Sequence, residues 1–330
     1  ASTVRIDGSL ADEHLIGGFT ARLHFSAGSP VVRVSFTYRA DNLSHELNDL
    51  DSLHLVLTAG NGTLASGAKR IFQGNDLEFC FNDQVKQGFM PETDVFATGK
   101  GRVAFALTDA GKRYPKAFAV SEKGLDIQLL PPQPSKDFNA DLPGYLRYPY
   151  MDGKYRLMAG MNFTEDITFD FSGAAVSPQD VIAVIPCSWY AETNAVRGVF
   201  ADHYTKPFDD HAVTEFYRHL AHKKKQREYG FLNYGDWYGE RGGNWGNNEY
   251  DFAYGLLTLF ARTGNRDIYR LGIAAARHQS DVDIIHATPF KELLGGNYMH
   301  CVGHAGQRYE LNGTPGSWYG GINLQAYANA

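Results

Sequence analysis

The spacing of the apolar residues changes once along this chain, and that change limits the fold more than any other feature. Up to about residue 175, apolar and polar residues alternate, as the two-residue repeat of a half-buried strand requires. Phe19 to Phe25 and Val31 to Tyr38 follow this rule, with the turn residues Ala27-Gly28-Ser29-Pro30 between them. Further short runs, Leu53 to Leu57, Val103 to Leu107, Leu125 to Leu130 and Ile167 to Phe171, are separated by Gly, Asn, Asp and Pro clusters. Short strands at such intervals predict an antiparallel β-sandwich. The segment from Pro131 to Tyr150 is too proline-laden for a central strand, so it is expected to run irregularly over the surface.

Beyond that point the repeat becomes helical. Ser177-Pro178-Gln179-Asp180 reads as a helix start, and Val213, Phe216, Tyr217 and Leu220 share one face of a helix over Asp210 to Glu228. Asn248 is placed to cap a helix with Glu249 and Asp251 in its first turn and Phe252, Ala253, Leu256, Leu257 and Phe260 on its apolar face. Gly264 ends that helix, and Asn265 caps a second one from Asp267 to about His278. Two helices joined by so short a turn form an antiparallel hairpin, the repeating unit of helical toroids. The fold expected is therefore mixed, β then α: an antiparallel β-sandwich over residues 1–180, followed by the N-terminal part of an α/α toroid over residues 181–330. A closed toroid needs more helices than are visible here, so the toroid is expected to be incomplete.

The formal charge of -6 argues against nucleic-acid binding, which relies on a basic face. An acidic polymer would instead need a locally basic cleft. Lys223-Lys224-Lys225 reads as a solvated helix face. No apolar run reaches the length of about 18 residues needed to span a membrane. Cys80, Cys187 and Cys301 form no CxxC pair, so neither a zinc ribbon nor a disulfide framework is indicated. Aromatic residues make up 13% of the chain, with 19 tyrosines, a composition suited to packing against the C–H faces of sugars as well as to filling a β core.

The densest candidate site is Asn233 to Asp251, where five glycines before the helix interrupt Tyr234, Asp236, Trp237, Tyr238, Glu240, Arg241, Asn244, Trp245 and Asn247. Glycines hold such a run in a loop, and so many large polar groups together suit a ligand site. A second group is the late histidines: His278, His286, His300 and His304. His300 and His304 would share a face if helical, permitting a divalent metal, but Gly303 and the preceding Gly-Gly favour a turn, so no cofactor is required.

With these residues in view, the chain resembles the exo-rhamnogalacturonan lyases and their relatives among the ulvan lyases. The likeness rests on Ala21 to Pro30, on Asp152 to Phe171, and most specifically on Gly235-Asp236-Trp237-Tyr238-Gly239-Glu240-Arg241 with Asn244-Trp245-Gly246-Asn247. The resemblance implies a secreted or periplasmic polysaccharide lyase that cleaves a rhamnose-rich, uronate-containing polymer by β-elimination, with further domains on a longer polypeptide. The first residue is Ala1, with no basic and apolar leader before it, as a processed or partial polypeptide would have. Elimination needs the carboxylate neutralised, a base for the C5 proton and an acid for the leaving oxygen. By resemblance, Arg241, Asn244 and Asn247 would meet the carboxylate, and Tyr234, Tyr238, His300 or His304 would exchange protons, with a His as base and a Tyr as acid. Asp236 and Glu240 would orient Arg241 and the rings, Trp237 and Trp245 would stack on sugars, and His278 would face substrate. The rival readings are a toroid glycosidase using Asp236 with Glu240 or Asp251, and a non-catalytic carbohydrate-binding module.

Overall fold

The computed structural model describes residues 1–11, 15–45, 47–174, 176, 182–196, 206–240, 244–246 and 251–297. Two antiparallel sheets dominate its first half. The larger has seven strands in the spatial order Ser2–Ala11, Leu15–Phe25, Val31–Arg39, Asn162–Asp170, Gly101–Leu107, Thr93–Thr98 and Gly62–Leu64. The smaller has six, in the order Leu53–Thr58, Gly124–Leu130, Lys116–Ser121, Arg70–Gln73, Glu78–Phe81 and Gln84–Gln87. Their inner faces supply one core: Phe105 of the larger sheet meets Phe118 of the smaller edge-to-face at 4.9 Å, and Phe96, Leu107, Ile167, Ile71 and Ile127 fill in around them.

The segment before Tyr150 follows the expected irregular course over the surface at its start and departs from it at its end. It carries a short helix, α1 (Gly144–Arg147), and a 3-10 turn over Tyr148–Gly153, and although Pro132, Pro134, Ser135, Lys136 and Asp137 are exposed, Leu142, Leu146 and Tyr150 belong to the sandwich core. Prolines bar a ladder strand but do not bar burial, and Tyr150 packs edge-on to Phe231 at 5.9 Å.

Four further helices follow, α2 (Cys187–Thr193), α3 (Lys206–Gln226), α4 (Phe252–Thr263) and α5 (Arg266–His278). The α4–α5 hairpin forms as its sequence requires. Gly264 takes φ +67°, its N–H donating to the Phe260 carbonyl at 2.7 Å, and the Asn265 Oδ1 accepts from the backbone N–H of Asp267 and Ile268. Asp251 precedes α4 in the left-handed region rather than sitting in its first turn. The proposed cap Asn248, Glu249 and the start at Ser177–Asp180 lie outside the described residues. Phe216, Leu256, Phe260, Ile268 and Leu271 make a second, helical core. Phe231, Leu232, Trp245, Val282 and Ile285 nevertheless join the sandwich core, so apolar packing runs across the boundary expected near residue 180. An Arg227–Asp76 pair, with nitrogen–oxygen distances of 2.9 and 2.8 Å, ties the end of α3 to the smaller sheet. Among the described residues, no helix is long and apolar enough to cross a membrane.

Candidate functional site

The outer face of the seven-stranded sheet is polar. Alternation along each strand sends Thr20 and Arg22, then Ser35, Thr37 and Arg39, then Asn162 and Thr164 outward, and the ladder register aligns them. Arg5 stands opposite Arg22, which is opposite Ser35, and Arg39 is opposite Asn162. Facing this sheet, Ile273, Ala276, Arg277 and Ser280 recur at the three- and four-residue intervals of one helical side, joined by Asp281 and His286. Between the two surfaces lies an open cleft of about 620 Å³, within the range of small-ligand sites.

Four arginines line this cleft, on a chain whose net charge is -6. Arg5 and Arg39 share Asp7, at 2.7 and 3.4 Å, and Arg39 also meets Asp41 at 3.0 Å. Arg277 pairs with Asp166 at 2.5 Å. The half-buried Arg22 guanidinium has no ion-pair partner among the described residues and is free to meet an anion. The acid in the lining, Asp281, is committed to the sheet: its carboxylate accepts from the Thr164 N–H at 3.0 Å and Oγ1 at 2.9 Å. Burial pushes its carboxyl up, against the pull of Arg277 and Arg113. His286 is exposed, and its Nε2 lies 2.6 Å from the Ser280 carbonyl. A carbonyl only accepts, so Nε2 carries a proton, which leaves Nδ1 as the ring position able to accept one.

Behind the cleft wall, α5 runs into a π-helical turn, Gln279–Asp283. Its i→i+5 winding brings Asp283 back beside His278, a spacing that an α-helix would separate. His278 Nε2 lies 3.2 Å from Asp236 Oδ2 and 3.3 Å from Asp283 Oδ1, with all three side chains buried. Desolvation opposes the charged imidazole, but Asp283 and Asp236 outweigh it and push His278 up to about 10.

The predicted loop is divided by the structure. Tyr234 and Asp236 are 7% and 1% exposed, and burial pushes the Tyr234 phenol up, so it exchanges protons poorly near neutrality. Asp236 accepts from the Trp237 N–H at 2.7 Å besides meeting His278. Trp245 is 0% exposed and cannot stack on a sugar; it fills the core beside Tyr145 and Tyr238, whose rings stack at 3.9 Å. His278, at 1% exposure, likewise cannot face substrate. Trp237 and Tyr238 are half-buried. Gly235, at φ +114°, is pressed against the Ala274 carbonyl of α5, and Gly246 lies under the Trp237 ring, so a Cβ at either position would collide. These glycines permit close packing rather than an open loop. Lys223 is buried too, its Nζ donating to Glu228 at 2.8 Å and to the Asp236 carbonyl. Glu240 and Asn244 belong to a small hairpin, Tyr238–Glu240 with Asn244–Trp245. Arg241, Asn247, His300 and His304 lie outside the described residues.

Residues 202–308, about a third of the chain, match the family described as the PcRGLX-like protein C-terminal alpha/alpha toroid domain. A sandwich followed by toroid helices is thus the architecture. Among solved structures, a crystal structure from Escherichia coli of a protein provisionally assigned as an aldose 1-epimerase is similar at 11% identity and a TM-score of 0.26, over 51% of this chain and 64% of that one. This chain therefore spans under two thirds of that neighbour, and the likeness is too weak to bear on chemistry. No curated protein matches the sequence.

Arg5, Arg22, Arg39, Arg277 and His286 were not singled out as a group by the sequence. The signal that could have found them is outward-facing arginines repeated on successive strands.

Proposed function

We propose that this protein is a secreted or periplasmic polysaccharide lyase that cleaves a rhamnose-rich, uronate-containing polymer, of the ulvan or rhamnogalacturonan type, by β-elimination. The observation that carries the reading is the arginine-lined cleft on an acidic chain, and the toroid match over residues 202–308 supports it. A uronate carboxylate would seat against Arg22, while Arg39 and Arg277, whose charges are paired with Asp7, Asp41 and Asp166, would offer it only their remaining N–H donors. Withdrawing charge from the carboxylate stabilises the carbanion-like state formed when C5 loses its proton. His286 would take that proton at Nδ1, its ring being oriented through the Ser280 carbonyl. The C5–H electron pair would form the C4–C5 double bond as the C4–O bond breaks, and the leaving oxygen would be protonated by the imidazolium so formed or by water in the open cleft. The hydrolytic alternative needs two available carboxylates. Asp236 and Asp251 are buried at 1% and 6% exposure, and Asp236 is engaged with His278, which weighs against it.

The test incubates the protein with ulvan and with rhamnogalacturonan and follows ultraviolet absorbance. Elimination yields an unsaturated uronate that absorbs. Saturated reducing ends without that chromophore would replace the proposal with hydrolysis, and binding without any product would replace it with a carbohydrate-binding module.

A further inference from the structure

The buried cluster behind the cleft is not needed by the reaction proposed above, and its geometry suits an ion. Asp236 Oδ2, His278 Nε2 and Asp283 Oδ1 all lie within 4.8 Å of one another, on side chains at most 4% exposed. Tetrahedral zinc with bonds of about 2.0 to 2.1 Å holds its ligands roughly 3.3 to 3.4 Å apart. The two separations from His278, 3.2 and 3.3 Å, meet that spacing. Both carboxylate oxygens approach the same ring nitrogen. The single N–H there can point at one of them, whereas an ion that displaces this proton from Nε2 can bond to both. The local backbone shows how the cluster is assembled. Asp283 reaches the cluster only because α5 leaves α-helical winding at Gln279–Asp283, and π turns of this kind occur frequently at functional sites.

From this geometry we infer that Asp236, His278 and Asp283 form a binding site for a divalent transition-metal cation, zinc foremost. One imidazole and two carboxylates are the ligand types of zinc and manganese, and two carboxylates neutralise a divalent charge. The ion is structural. His278 and Asp281 line a narrow internal void that also touches Asn162, and Asn162 and Asp281 belong in turn to the cleft floor, so the ion lies one layer beneath the surface that would meet substrate. It pins the Asn233–Trp237 segment, through Asp236, to the end of α5 and thereby fixes the wall carrying Arg277, Asp281 and His286.

The test uses the whole chain, stripped with a chelator, re-equilibrated with zinc and dialysed. Elemental analysis is expected to find about one tightly held zinc per chain, and re-addition of zinc should raise the thermal midpoint. Cobalt in its place should give the visible absorption of a tetrahedral N/O site. Asp283→Asn, of nearly the same shape, should weaken zinc binding at least tenfold, and His278→Gln should do the same. A H300A/H304A double variant, which removes the other histidine pair the sequence offers, should keep its zinc. Wild-type protein that holds no zinc after dialysis overturns the inference without recourse to any variant. So does zinc retained by Asp283→Asn but lost from H300A/H304A.

Discussion

Replacing Arg22 by alanine removes the cleft cation that makes no ion pair with another described side chain, so the substitution tests the cleft with little effect on the fold. Arg5, Arg39 and Arg277 each hold an acid, and removing any of them would leave Asp7, Asp41 or Asp166 to repel an anionic ligand. Arg22 carries no such complication. A hydrogen bond to a charged partner is worth about 1.5 to 3 kcal/mol, and a half-buried guanidinium in an open cleft belongs at the lower end. About 1.4 kcal/mol corresponds to roughly a tenfold rise in KM for the uronate polymer, with kcat changed less. Stability should stay within about 0.5 kcal/mol of wild type, as for surface substitutions that break no native contact. Initial rates of chromophore formation against substrate concentration, paired with thermal melts, measure both quantities. Added salt should narrow the gap between the two proteins, because the lost attraction is screened. A KM within twofold of wild type, with an unchanged melting midpoint, would refute the placement of the carboxylate at Arg22.

Two further outcomes follow from burial. Trp245→Ala should cost about 3 to 5 kcal/mol in chemical denaturation, since the ring is 0% exposed and packs on Tyr145 and Tyr238. Glu92 is pushed up to about 7, chiefly by desolvation and then by Asp109. A carboxyl raised on folding adds stability that is fully present below its unfolded value and is lost as pH rises through 7. Glu92→Gln should therefore stabilise the protein by on the order of 1 to 2 kcal/mol at about pH 8, and the gain should vanish near pH 4 in melts across that range.

The sequence made the architecture legible where the signal is local. Gly264 and Asn265 end one helix and start the next through groups within four residues of themselves. Strands such as Val31–Arg39, Leu53–Thr58 and Gly124–Leu130 follow from short apolar runs, whereas Ser2–Ala11, Arg70–Gln73, Thr93–Thr98 and Lys116–Ser121 were not read. The cleft was hidden because each of its arginines, read singly, is an ordinary solvated strand residue. Only the pairing of Arg5 with Arg22, and of Arg39 with Asn162, places them on one surface, and Arg277 comes from a helix far along the chain. The glycine-rich run misled for a related reason. A glycine marks a place where backbone must pass close to something, and at Gly235 and Gly246 that something is α5 and a tryptophan ring rather than a ligand. Trp245 looked like a sugar platform because an aromatic residue beside glycines carries no mark of which way it points.

The strand Asn162–Asp170 serves as a party wall. Phe163, Glu165, Ile167 and Phe169 are buried on one side of it, while Asn162 and Thr164 line the cleft on the other and Asp166 reaches Arg277. A slip of a single residue in its register would exchange the two tenants, setting oily side chains in the groove and hydroxyls among the hydrocarbons. Neither neighbour can thus be moved onto another scaffold intact, because each would carry away half of a surface that the other depends on.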